Sequence, residues 1–124
     1  MSKFTINNLN EVITIKYSAK CAKDILLFVQ DNAPTSLSKL TIDQYQFYLP
    51  QYSKQEIMEH ILYLNEIGIF KRVVCDDFNN VYLTLGLTNK GQHFAIQLSN
   101  DTFWKKFLQA SKDSLPDLIK LLIL

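Results

Sequence analysis

At 124 residues, 48% of them hydrophobic and 20% charged, the chain has the make-up of one ordinary folded domain with a single core. Thirteen lysines and arginines against twelve acids leave a net charge of +1, which excludes a global field drawing the chain to nucleic acid or an anionic membrane. Arg72 is the sole arginine, so a DNA reader made from this chain would depend on lysine and polar groups instead of the bidentate guanidinium fork.

No apolar run approaches the roughly 18 to 20 residues that span a bilayer, and the opening MSKFTINNLNEVITIKYS lacks an uninterrupted apolar stretch behind a basic one. A cytoplasmic location without membrane contact is expected. Cys21 and Cys75 stand far apart. Without a secretory signal they are expected to be buried free thiols and not a disulfide.

In chain order, Glu11 to Tyr17 (EVITIKY) alternates β-branched and polar positions and predicts a strand, with Val12, Thr14 and Lys16 on one face and Ile13, Ile15 and Tyr17 on the other. Ser18 offers a helix cap. From Ala19 to about Asn32 the apolar residues Ala22, Ile25, Leu26 and Val29 recur at three and four, so a core-facing helix is predicted, ended by Ala33-Pro34. Thr35 to Gln51 is less legible. Its LTIDQYQFYL favours a short strand or extended segment, although Leu40, Tyr45 and Tyr48 or Leu49 would also suit a short helix.

Pro50 stops that segment, and SKQEIMEHILYLNEIG, Ser53 to Gly68, then predicts a complete helix. Ser53 and Glu56 have the capping-box spacing, and Gly68 supplies a left-handed stop. Ile69 to Val74 and Val81 to Leu87 are β-prone runs joined by Cys75-Asp76-Asp77-Phe78-Asn79-Asn80, a turn rich in residues that tolerate left-handed geometry. Thr88 caps a helix to about Leu98, and Asn100 or Asp101 caps another carrying Phe103, Trp104, Phe107 and Leu108. Ser114-Leu115-Pro116 opens a last helical stretch.

Helix followed by hairpin is the ordering of a winged helix. The expected fold is therefore α+β: a winged helix-turn-helix with an N-terminal strand and additional C-terminal helices. Residues 1–124 read as one domain, with 111–124 as a C-terminal packing or dimerisation helix. Its last ten residues, LPDLIKLLIL, are apolar nearly all round and span only about 14 Å as a helix, too short for a membrane. A homodimer through Leu118, Leu121, Leu122 and Leu124 is expected.

On a helical wheel of about 100 degrees per residue, Ile57, Ile61 and Leu64 form the inward stripe of the central helix. Gln55, Glu59, Leu62 and Glu66 form the outward one. In a major groove Glu59 and Glu66 would meet phosphates at roughly one charge per 1.7 Å of axis. Between Glu56 and Asn80 five acids face Lys71 and Arg72 alone, a net −3. Those residues therefore read as a partner-binding surface of Gln55, Glu59, Leu62, Tyr63 and Glu66, with Tyr63 as an amphipathic anchor. His60 flanks the buried stripe and reads first as a half-buried ring bonded to a backbone carbonyl. The nucleic-acid alternative would use Lys54, His60, Lys71, Arg72, Lys105 and Lys106. Thr88 to Lys112 carries four lysines against Asp101, net +3, which reads first as the wet side of an aromatic-cored helix.

Tyr52-Ser53, Glu56-Ile57, His60, Leu64 and Gly68, followed by Leu87-Thr88, Gly91, Phe94, Asp101 and Trp104, resemble a family of small proteins of unknown function frequent in phages and prophages. The likeness spans about Tyr52 to Leu108 and is most specific in LTNKGQHF and DTFW. Similar proteins place a histidine directly after the glycine; here Gln92 stands before His93. The resemblance implies a winged-helix fold and a mobile-element setting, and carries no activity.

No metal, cofactor or enzymatic chemistry is expected. His60, His93, Cys21 and Cys75 are not paired at ligand spacing, and Gly68, Gly86 and Gly91 form no phosphate loop. The expected function is that of a non-enzymatic, phage- or prophage-encoded protein that binds a protein partner and interferes with a host process. The alternative is a DNA-binding transcriptional regulator.

Overall fold

A computed structural model describes residues 17–33, 35 and 38–109. The strand expected from Glu11 and the tail carrying Leu118, Leu121, Leu122 and Leu124 lie outside the described residues, except for Tyr17, which precedes the first helix without strand geometry. The described elements are α1 (Ala19–Asn32), β1 (Lys39–Thr41), α2 (Ile42–Tyr48), α3 (Lys54–Glu66), β2 (Phe70–Cys75), β3 (Val81–Leu87), α4 (Asn89–Leu98) and α5 (Asp101–Gln109). Among the described residues this is an α+β arrangement of five helices and one antiparallel sheet of order β1-β3-β2.

The Ser18 hydroxyl accepts the Cys21 N–H at 3.1 Å and starts α1, whose Cys21, Ala22, Ile25, Leu26 and Val29 are all buried. Their spacing makes one apolar face wide enough to be shared, and α3, α4, α5 and β3 all pack on this helix. Cys21 lies within that core, where burial first, then the carboxylates of Glu56 and Asp24, pushes its thiol up to about 12. Cys75, expected to be buried, is exposed at the end of β2.

The segment before α3 is helical where an extended chain was favoured. Only Lys39–Thr41 is a strand. The Thr41 hydroxyl accepts the Gln44 N–H at 3.3 Å, and the Gln44 side chain accepts the Thr41 N–H at 2.8 Å. This reciprocal cap satisfies two free donors and nucleates α2, which then buries Ile42, Tyr45 and Leu49 at helical spacing. The buried Tyr45 hydroxyl shares a 2.7 Å hydrogen bond with Thr84 of β3. After α2, the Tyr52 hydroxyl donates to Asp24 of α1 at 2.7 Å and ties the turn before α3 to the core helix.

α3 has the expected ends. Ser53 and Glu56 form the capping box, with bonds of 3.1 and 2.8 Å. Gly68, at φ 86°, reverses the chain in a conformation that costs a residue with a Cβ. β2 and β3 then pair with Arg72 opposite Leu85 and Val74 opposite Leu83, and β1 adds on the other side with Lys39 opposite Leu85.

The motif LTNKGQHF has a steric reason. The Thr88 hydroxyl donates to the Gly68 carbonyl at 2.6 Å and accepts the Gly91 N–H at 3.0 Å, while the Thr88 N–H donates to the Ile69 carbonyl at 3.0 Å. These bonds draw the first turn of α4 onto the backbone just after α3. A Cβ on Gly91 would collide with the Ile69 carbonyl and lie 3.1 Å from the Ile69 side chain. α5 closes the core with Phe107, ringed by Phe94, Phe103 and Trp104, and Lys23 of α1 sits 4.1 Å over the Trp104 ring.

Gly91→Ala is therefore expected to destabilise the domain by about 2–3 kcal/mol through backbone overpacking, measured by urea unfolding. A loss under about 1 kcal/mol, the ordinary scale of a surface glycine change, would show that α4 can retreat from Ile69.

Candidate functional site

Burial of α3 fixes what its other side presents. Ile57, Ile61 and Leu64 are fully buried, each worth roughly 1.5–3 kcal/mol relative to exposure. Gln55 and Glu66 are consequently exposed, and Glu59 and Leu62 half-buried. The Met58 sulfur accepts the Val81 N–H at 3.3 Å, which fastens the turn end of the β2–β3 hairpin against the same helix.

Between helix and hairpin runs a groove of about 610 Å³. Among the described residues its helical wall is Gln55, Met58, Glu59, Leu62, Tyr63, Asn65 and Glu66, its opposite wall is Cys75, Phe78, Asn79 and Asn80, and Tyr17 also lines it. The structure brings together all five residues that the sequence assigned to partner binding. It also adds members that sequence reasoning missed, chiefly Tyr17 and Phe78.

Both additions sit on backbone fixed by hydrogen bonds. Asp76 accepts the backbone N–H groups of Phe78 and Asn80 at 2.8 and 2.9 Å, the Asn80 side-chain amide at 3.1 Å and the Tyr82 hydroxyl at 3.3 Å. Those donors, led by Asn80, hold the exposed Asp76 carboxyl below its ordinary value. With Asn79 at φ 64°, the turn is built by its own polar side chains. Beyond its backbone N–H, Phe78 takes no part in it, and the residue stands 85% exposed. An aromatic that turn chemistry does not require was the available signal in CDDFNN.

Tyr17 is positioned through His60. The imidazole is 3% exposed, its Nε2 accepts the Ser18 N–H at 2.9 Å, and its Nδ1 lies 2.8 Å from the Glu56 carbonyl oxygen. A carbonyl only accepts and an N–H only donates, so the ring is neutral with its proton on Nδ1. Tyr17 then packs edge-on to His60 and tilts over Tyr63 at 4.4 Å between centroids. Tyr63 is thus buried in the groove floor, not outward as an anchor.

The groove's described lining is acidic. Among the described residues Glu59 and Glu66 line it and no lysine or arginine does, and the one ion pair joins Lys20 to Asp24. Glu59 accepts a hydrogen bond from the Gln55 amide. Burial first, then the carboxylates of Glu66 and Glu59, raises the Tyr17 hydroxyl, which places both charges close enough to act on that ring.

The nucleic-acid set is distributed over α3, β2 and α5. His60 is withdrawn from it by burial, with both nitrogens engaged inside the chain. Lys54 is exposed at the start of α3, Lys71 and Arg72 on β2, and Lys105 and Lys106 on α5, whose main neighbours are α4 and α1. A further exposed aromatic patch was hidden by the extended reading of α2: Phe47 and Tyr48 lie edge to face, and Tyr48 stacks on Phe28.

Burial is the main influence on His60 and lowers its pKa, opposed by its bond to the Glu56 carbonyl and by the charges of Glu56 and Glu59. The unfolded chain takes up this proton near pH ~6.5, and the folded chain does so only at lower pH. The neutral ring therefore contributes its full stability above pH ~6.5, and that contribution is lost as pH falls through the folded value. Urea midpoints are expected to drop more between pH 7 and pH 5 in the native chain than in His60→Gln. Parallel curves for the two would refute this assignment.

The family described as Hypothetical protein (DUF2513) matches residues 16–115, a reach that extends well before the Tyr52 to Leu108 stretch behind the sequence resemblance. No curated protein and no solved structure matches the chain. Covering α1 through α5 and both walls of the groove, the match shows that the chain belongs to this uncharacterised family.

Proposed function

We propose that the chain is a non-enzymatic winged-helix module that acts by binding another protein in the groove between α3 and the hairpin turn. The element order helix-strand-helix-helix-hairpin, with β1 beside β3, supports the winged-helix part of this reading. One observation carries the binding reading: Glu59 and Glu66, which have no cationic partner among the described residues, line a groove with a hydrogen-bonded turn on which Phe78 stands 85% exposed. Exposed aromatics beside a concave surface are typical anchors of protein recognition. The same carboxylates oppose docking of α3 into a DNA groove, whose phosphates would repel them. The resemblance to phage and prophage proteins suggests a mobile-element setting in which the partner belongs to the host.

Exposed Lys54, Lys71 and Arg72 near this helix and hairpin are what favour the second reading, a DNA-binding regulator. Two measurements separate them. Used as bait in a lysate of its host, the chain is expected to retain a defined protein that the double variant Glu59→Lys, Glu66→Lys loses by at least about tenfold; equal retention would sink the groove assignment. Titrated with genomic duplex fragments, the native chain is expected to show no binding at about 50 mM salt. Binding there that weakens steeply by about 200 mM salt would establish DNA recognition instead.

A further inference from the structure

Resting on the protein-binding reading, we infer that the groove is built for a cationic segment of its partner: a short stretch in which a lysine or arginine adjoins an aromatic or aliphatic side chain. Charge complementarity selects the first part. Glu59 is half-buried and Glu66 exposed, both on the helical wall, and no cation of the chain reaches either within 4 Å among the described residues. Anionic side chains on one wall of a concavity focus their field into it and attract cationic partners on approach. An acidic or phosphorylated segment would instead add like charge to a partly desolvated site.

The apolar requirement comes from the rest of the lining. Leu62, Tyr63 and Tyr17 give the groove a floor that a wholly hydrophilic ligand would leave poorly covered, and Phe78 supplies a rim with its ring almost fully in water. An arginine suits this setting best, because its guanidinium plane stacks on an aromatic face while its N–H groups bond a carboxylate. Little ordering is left to the moment of binding. The Asp76 bonds hold the backbone that carries Phe78, and the packing of Tyr17 on His60 and Tyr63 holds its ring, so the turn and the Tyr17 ring are arranged beforehand. A volume of about 610 Å³ falls within the range of sites that enclose a small ligand, roughly 300–1,000 Å³, and fits a few side chains instead of a folded domain.

The test selects ligands without presuming a partner. The full chain is used to enrich binders from a cell-free displayed library of random twelve-residue peptides. The enriched sequences are then synthesised, their affinities measured by fluorescence anisotropy, and their sites mapped by amide chemical-shift changes. Enriched peptides are expected to carry lysine or arginine next to an aromatic or aliphatic residue and to shift the amides of Leu62, Glu66 and Phe78. Their affinity is expected to fall at least about tenfold in Glu59→Gln, Glu66→Gln and again in Phe78→Ala, with melting temperatures unchanged because all three side chains face solvent or the groove. Neutral or acidic peptides that occupy the groove would overturn the cationic assignment and leave protein binding there intact. Peptides that shift only residues elsewhere, such as Phe47 and Tyr48, would overturn both. A concentration-dependent dimer in sedimentation that Phe78→Ala dissolves would make a second copy of the chain the occupant and overturn the cationic partner.

Discussion

The rotation of α3 about its own axis is the constraint on which the molecule depends. Three aliphatic side chains, Ile57, Ile61 and Leu64, lie at zero exposure on one side of it, and His60 between them is fixed by two hydrogen bonds to backbone groups. Aliphatic burial is strong but non-directional; the imidazole supplies direction, since a small rotation would part its Nε2 from the Ser18 N–H, while the bond to Glu56 within the same helix sets the ring's own orientation. Gly68 and the Thr88 bonds immobilise the C-terminal end of the helix against α4. With both ends and one face determined, the outer stripe has no freedom to turn its carboxylates elsewhere.

The same constraint explains why a groove exists at all. The hairpin leaves α3 through a two-residue reversal and is fastened back at Val81 by Met58, so its tip stands beside the helix without lying on it. A surface carboxylate without a partner is inexpensive in water, and an exposed ion pair would have added only about 0–1 kcal/mol. Stability therefore gave little reason to place a lysine opposite Glu59 or Glu66. Their place together on one wall of a cleft that also shows an aromatic ring is not something folding requires.

Much of the architecture was legible because it rests on local chemistry that sequence displays directly. The caps at Ser18, Ser53 and Thr88, the stop at Gly68 and the periodic burial in α1 and α3 are one-dimensional signals. α2 was misjudged for a physical reason. Its seven residues alternate as well as they rotate, and the deciding element was the Thr41–Gln44 cap, a spacing visible in the sequence but outweighed by the β-branched start of LTIDQ. The outward stripe of α3 could be read from the wheel. Tyr63 could not be placed, since its burial is decided by Tyr17, more than forty positions away, stacking upon it. Phe78 was passed over because the turn around it was explained by Asp and Asn alone, which is also why the ring is free for another use.

The hairpin turn closes upon itself: Asp76 and Asn80 hold each other and the backbone between them, and the core makes no demand on Phe78. Identity at that one position is therefore separable from foldability. Drift or selection could replace the ring with another side chain at little thermodynamic penalty, retuning which partner is engaged while the scaffold stays unaltered. A family built this way would diversify its targets at the tip of the turn faster than anywhere in the helices beneath it.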